Sequence, residues 1–132
     1  MTHLAKLRIR AFHAQQGYCI YCGLPLWEAF IQASAPPHIP ELWAHHLRAT
    51  AEHLVARQDG GPNSAINIAA ACAWCNARRH QGRATNAPDP VTYQRQIQRL
   101  MERGLWHPAG RYFRHEKAAQ PLREMRGQLR IQ

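Results

Sequence analysis

The chain is short of acidic residues and almost without lysine. Its 132 residues include 8 Asp and Glu against 17 Lys and Arg, giving a formal net charge of +9. Fifteen of the basic residues are arginine, whose planar guanidinium suits two-point contacts with phosphate. A small protein this basic usually binds a polyanion, most often nucleic acid. The alternative at this point is a basic surface that is merely solvated.

Long apolar runs are also missing. No stretch approaches the roughly 20 apolar residues of a membrane span, and residues 1–6 are too polar for a signal peptide. We therefore expect a cytoplasmic protein without membrane contact. A chain of this length predicts one domain, residues 1–132.

Four cysteines stand in two Cys-x-x-Cys pairs, Cys19/Cys22 and Cys72/Cys75. Each pair bends the backbone so that two sulfurs face one point, and two pairs together give the four-thiolate set of a structural zinc site. Two disulfides or a redox pair are the alternatives, and they suit a reducing cytoplasm less well. The pattern therefore predicts a zinc clamp that ties residue 19 to residue 75.

Apolar spacing and turn signals outline the remaining elements. A helix is predicted over 3–16, ending at Gly17, and a short helical piece is predicted within 24–35. A helix is predicted to open at Pro40, and local propensity would carry it on through Val55, while the strongest loop signal covers 59–64. Further helices are predicted over 72–82 and 91–103. Residues 111–132 are either a helix docked on nucleic acid or a mobile basic tail.

A second set of polar residues interleaves with the cysteines: Glu52, His53, Asn67, Asn76 and His80. A carboxylate, an amide oxygen and an imidazole that converge make a site for a hard divalent cation such as Mg²⁺ or Mn²⁺. In an extended segment His53 lies on the face opposite Glu52, so it can stand near the metal without binding it. With a reference pKa near 6.5, a histidine can take a proton from water at neutral pH.

In this order the residues resemble the HNH endonuclease family, in the subtype whose ββα-metal core is flanked by two zinc knuckles. The resemblance covers about residues 7–83. It rests on Cys19-Ile-Tyr-Cys22-Gly23, Glu52-His53, Gly60-Gly61, Asn67, Cys72-Ala-Trp-Cys75-Asn76 and Arg79.

The resemblance implies an α+β fold: a small ββα-metal core with a four-cysteine zinc site, an N-terminal helix and a helical basic C-terminal region. It makes 50–56 a strand, although local propensity favours a helix there, and so implies that the helix from Pro40 ends near Arg48. We expect the core over about 7–83, an insertion over about 24–50 and a C-terminal extension over about 88–132.

The implied activity is hydrolysis of DNA phosphodiester bonds with one divalent metal, Mg²⁺ or Mn²⁺, leaving 5′-phosphate and 3′-hydroxyl ends. His53 would be the general base, and Asn67 would brace the loop that aims it. Glu52 and Asn76 would hold the metal, with His80 as a further candidate ligand. Phosphates beside the scissile bond would be contacted by three arginines: Arg57, Arg79 and Arg83.

Two features depart from the family pattern. Glu52 replaces the commoner aspartate, and the 24–51 stretch is long. His80 has a second interpretation as a phosphate-contacting or solvent-facing side chain. Two other functions stay open: a non-catalytic zinc-bound nucleic-acid-binding module, and a subunit of a phage packaging or restriction system that is inactive alone. DNA is the expected partner, and a homodimer is left open.

Overall fold

The structure is a computed structural model, and it describes residues 1–31 and 40–113. Within these two ranges there are five helices, α1 (His3–Ala14), α2 (Glu41–Ala44), α3 (Ala73–His80), α4 (Pro90–Glu102) and α5 (Ala109–Tyr112). Two strands, β1 (Ala49–His53) and β2 (Ile68–Cys72), and a 3₁₀ turn at Arg57–Asp59 complete the described elements. The expected tail over 111–132 lies outside the described residues from 114 onward, as do residues 32–39 of the expected insertion.

The strands form an antiparallel pair in which Glu52 lies opposite Ala69 and His53 opposite Ile68. α3 follows β2 without a break, because the Cys72 side chain caps it by accepting from the Cys75 N–H. This β1–β2–α3 unit is the ββα arrangement, and the α+β prediction is confirmed. The strand expected over 50–56 forms at Ala49–His53, where packing outweighs helix propensity.

α1 packs against the sheet through one apolar face and is capped by Thr2, whose hydroxyl accepts from the Ala5 N–H. It ends one turn before Gly17, whose φ of 80° favours glycine. Just beyond the helix, the Gln15 side chain bonds both the N–H and the C=O of Ala70 in β2. A glutamine therefore satisfies strand backbone groups that a third strand would otherwise pair with.

The helical piece expected within 24–35 is absent from its described residues, 24–31. Its first part is extended and its end is a turn: Trp27 forms a bridge with Arg48, the Ala49 N–H donates to the Trp27 carbonyl at 2.8 Å, and the Ile31 N–H donates to the Glu28 carbonyl. Pro25 lies in a second bridge, with Tyr18. Pairing alongside the start of β1 therefore prevails over helix propensity in this stretch. The helix predicted from Pro40 forms only one turn, α2, before the chain enters β1.

The loop between the strands requires glycine at one position. A Cβ on Gly61 would lie 1.7 Å from the Val55 carbonyl oxygen and 2.8 Å from the Asn67 side-chain nitrogen. Only a residue without a side chain allows the loop to pass this close to the end of β1. The loop is therefore held against the strand that carries Glu52 and His53.

The core joins α1, the first knuckle, the strands and α4, with Tyr93, Ile97 and Phe113 contributed from the C-terminal side. α4 starts at Asp89, whose carboxylate accepts from the Thr92 N–H. Within the described residues, no helix is long and apolar enough to cross a membrane.

Candidate functional site

The four cysteines lie together in the interior. Cys19, Cys22, Cys72 and Cys75 are all free thiols, and their sulfur atoms lie within 4.8 Å of one another. The Cys22 and Cys72 sulfurs are 3.9 Å apart. That is close to the edge of about 3.8 Å of a tetrahedron with metal–sulfur bonds of about 2.3 Å. The cysteines are thus positioned as a closed metal site, as the two knuckles predict.

Several N–H groups point at these sulfurs. The Tyr21 and Cys72 amides donate to Cys19, and the Trp106 indole donates to the Cys75 sulfur at 3.2 Å. Burial raises the pKa of the Cys22 and Cys75 thiols, whereas at Cys19 burial is outweighed by hydrogen bonds from the other cysteines, which lower the pKa. A bound cation would stabilise the other cysteines as thiolates too. The N–H donors around the sulfurs suit that negative charge. Trp106 reaches the Cys75 sulfur from 31 residues further along the chain.

Glu52 is a buried carboxylate, 1% exposed, at the end of β1. Its Oε1 lies 3.3 Å from His80 Nε2, and its Oε2 lies 3.4 Å from the Arg79 guanidinium. Oε2 nevertheless has no hydrogen-bond donor among the described residues. Arg79 offsets part of the charge of this buried carboxylate, and a bound cation would offset it further. The Glu52–His80 pair therefore fits a divalent metal.

Glu52 also faces the zinc knuckle. Tyr21, between the two knuckle cysteines, has a buried hydroxyl that faces the Glu52 carboxylate. Burial, and after it the charge of Glu52, raise the pKa of Tyr21, so the phenol stays protonated. Tyr21 thus connects the first knuckle to the polar residues around Glu52. The sequence pattern did not reveal this contact.

His53 is held by Asn63. The imidazole Nε2 lies 2.7 Å from Asn63 Oδ1. Because a carboxamide oxygen only accepts hydrogen bonds, Nε2 carries the hydrogen and Nδ1 is left unprotonated in the neutral ring. Asn63 was missed as a site residue, although its place directly after Gly60-Gly61-Pro62 was the available signal.

Asn67 spans the base of the same loop. Its side-chain oxygen accepts from the Val55 N–H at 2.8 Å, and its nitrogen donates to the Val55 and Pro62 carbonyls. These three bonds join the residue just after β1 to the Gly-Gly loop, as a bracing side chain would. Asn67 has no contact with His53 among the hydrogen bonds of the described residues.

Asn76 lies on the α3 face that looks toward β1. Its side-chain nitrogen donates to the Thr50 hydroxyl at 3.0 Å and more weakly to the Ala51 carbonyl. With the nitrogen occupied by β1, the carboxamide oxygen is the atom available to a metal. His80, one turn further along α3, is also approached by the Gln58 side chain at 3.4 Å.

The three arginines expected to contact phosphate separate into two groups. Arg57 and Arg83 are exposed at the surface. Arg79 is 2% exposed and donates to the carbonyls of His53, Leu54 and Pro88 at 2.8–3.0 Å. The structure thus gives Arg79 an internal place that corrects the expected phosphate contact, since internal oxygens occupy its donors.

Comparison with known proteins agrees with this geometry. Residues 19–82 match the family model described as HNH endonuclease, a segment that runs from the first knuckle cysteine to just past His80. No match was found among curated proteins or among solved structures. With its ββα unit and its cysteine site, this segment of the chain belongs to the HNH endonuclease family.

Proposed function

We propose that the protein is a metal-dependent endonuclease that hydrolyses DNA phosphodiester bonds, with His53 as general base. The observation that carries the proposal is the buried Glu52 carboxylate in contact with His80, next in sequence to His53, whose Nε2 bonds Asn63 and leaves Nδ1 to face a substrate. A module that only bound nucleic acid would gain nothing from burying that carboxylate.

Glu52 and His80 would hold the divalent cation, Mg²⁺ or Mn²⁺, with the Asn76 oxygen as a third ligand. When bound, the cation would supply Lewis-acid stabilisation of the phosphorane-like transition state and of the leaving 3′ oxygen. We assign zinc to the four-cysteine site, where four protein ligands leave no open position for catalysis.

His53 would take the proton from the attacking water at Nδ1, while the Nε2–H bond to Asn63 keeps the ring in that tautomer. Attack in line with the 3′ oxygen would leave 5′-phosphate and 3′-hydroxyl ends. The exposed Arg57 and Arg83 would contact phosphates beside the scissile bond. Arg79 would act indirectly, by fixing the backbone of His53 and the charge of Glu52.

The proposal is tested on supercoiled plasmid with Mg²⁺ or Mn²⁺, using the wild type, His53→Ala and, as a matched control, His3→Ala at an exposed position. We expect the wild type and His3→Ala to cut alike and His53→Ala to lose at least about 100-fold in rate. Equal cutting by His53→Ala would remove it as the base. An intact plasmid with every metal would leave the nuclease proposal unsupported for this chain. Nicked product indicates one site acting alone, and linear product indicates either a homodimer or repeated nicking.

A further inference from the structure

α4 carries a row of charge that the proposed catalytic site does not use. Arg95, Arg99 and Arg103 recur every four residues, and all three are exposed. They span about 12 Å along the helix at a rise of about 1.5 Å per residue. Among residues 1–31 and 40–113, none of the three takes part in an ion pair. The row lies outside the 19–82 segment that matches the HNH family.

The opposite side of α4 is fastened to both cysteine knuckles. The side-chain amides of Gln94 and Gln98 donate to the carbonyls of Ile20 and Tyr21 in the first knuckle. The Tyr93 hydroxyl donates to the carbonyl of Cys75, in the second knuckle, at 2.9 Å. Because the cysteine site fixes the knuckles, α4 and its arginines are held in a constant position relative to Glu52 and His53.

A groove of about 460 Å³ runs between α4 and the end of α3. Its α4 side includes Gln96, Ile97 and Leu100, its other side includes Arg78 and Arg83, and no acidic side chain lines it. Arg103 and Arg99 lie next to Gln96 and Leu100 around the helix. Positive charge therefore flanks both sides of the groove.

We propose that α4 is a DNA-docking helix, in which Arg95, Arg99 and Arg103 contact the phosphate backbone of the duplex that the catalytic site cuts. The inference rests on the proposed function for its choice of DNA. Unpaired, exposed guanidiniums on a helix fastened to the core are suited to phosphate contacts that place a duplex without reading its bases. Because α4 is already held against the knuckles, DNA binding does not have to order it, and less conformational entropy is lost.

The test measures binding of a fluorescent DNA duplex by anisotropy across a salt series. All proteins carry His53→Ala, and no divalent cation is added, so binding is read without cleavage. The stripe variant replaces Arg95, Arg99 and Arg103 by Gln. The matched control replaces three exposed basic residues elsewhere by Gln, namely Lys6, Arg10 and Arg48, and removes the same charge. Thermal melting checks that both variants fold.

We expect the stripe variant to bind about tenfold more weakly and to lose about 2–3 from the slope of log K against log salt, since each phosphate contact contributes about 0.9. The control should change affinity and slope much less. Equal losses in both variants would assign the effect to net charge and overturn the proposal, as would an unchanged slope in the stripe variant. Binding to anionic vesicles is measured with the same proteins. A stripe variant that loses vesicle binding but keeps its DNA affinity would also overturn the proposal. Because cleavage is not measured, failure of the nuclease proposal in the plasmid assay is a separate result.

Discussion

At the scale of single residues, the site depends on which atom of each side chain is already occupied. His53 Nε2 bonds Asn63, Asn76 Nδ2 bonds Thr50, and Glu52 Oε1 lies against His80. The atoms that remain are an imidazole nitrogen, an amide oxygen and a carboxylate oxygen. These are the groups that a proton-transfer and cation-binding site needs.

Asn63 gives a prediction at this scale. Asn63→Ala removes the acceptor that fixes the His53 tautomer, and we expect plasmid nicking to slow by about 10- to 100-fold, as when an orienting partner of a functional histidine is lost. Asn63→Asp keeps an acceptor and adds a negative charge, which holds a proton on the imidazole more strongly. The acid limb of the pH–rate profile should then move to higher pH. An Asp variant with the wild-type profile, or an Ala variant with the wild-type rate, would show that Asn63 does not position the base.

At the scale of elements, neighbouring residues of α3 have two different roles, one at the site and one in the interior. Asn76 and His80, four apart, present polar atoms to β1, while Arg79 turns inward and bonds the end of β1 and the segment before α4. Helix periodicity separates adjacent side chains by about 100°, so His80 and Arg79 meet different surroundings. The same helix therefore holds the site and fastens it to its neighbours.

Arg79 gives the prediction at this scale. Arg79→Met leaves Glu52 buried without its cationic neighbour and three carbonyls without a donor, and we expect a loss of about 3–5 kcal/mol in the free energy of unfolding. Arg83→Met, at an exposed position, should change it by no more than about 0.5 kcal/mol. Urea unfolding measures both. If the single variant does not fold, Arg79→Met combined with Glu52→Gln should recover folded protein. Equal stability of the two arginine variants would contradict the internal role.

At the scale of the whole molecule, residues far apart in sequence enclose the cysteine site. His107 lies 2.9 Å from His46, and its Nδ1 accepts from the Ala109 N–H. With Nδ1 accepting, Nε2 carries the hydrogen and donates it to His46, so the pair is satisfied when both rings are neutral. The Trp74 ring packs against both histidines and lies under the Arg78 guanidinium. This cluster joins the C-terminal side of the described chain to the start of β1.

The pair predicts a pH dependence of stability. Burial, with His46 and Arg78 contributing further, lowers the pKa of His107 to about 4. In the unfolded chain a histidine titrates near 6.5, so as pH falls the unfolded state binds the proton first. The free energy of unfolding should therefore decline from about pH 6.5 toward pH 4, by about 2 kcal/mol at pH 5. Above pH 6.5 this contribution is constant.

His107→Asn is the matched variant, because Asn keeps an acceptor for the Ala109 N–H and a donor for His46 but does not titrate. Its urea-unfolding curve should be flatter than that of the wild type between pH 6.5 and pH 5. Both proteins carry the cysteine site, so acid loss of a metal affects them equally and cancels in the difference. Parallel curves would show that His107 does not carry the dependence.

The sequence by itself determined the cysteine site, the ββα order and the family. These depend on ligand spacing and on local backbone geometry, both of which are written in short segments such as Cys72–Asn76. Most helix positions could also be predicted, because apolar periodicity is a local property of the sequence. The extended conformation of the first part of 24–31 could not, because pairing with Arg48 comes from a segment distant in sequence.

Only the tertiary structure decided what lies inside. A helix pattern gives the angular position of Arg79 but not what covers that face, and Pro88 and the end of β1 cover it. The Asn63 contact, the Trp106–Cys75 bond and the His46–His107 pair likewise join residues 10, 31 and 61 positions apart. Burial and hydrogen bonding of this kind depend on the packing of whole elements, and no local pattern of residues encodes them.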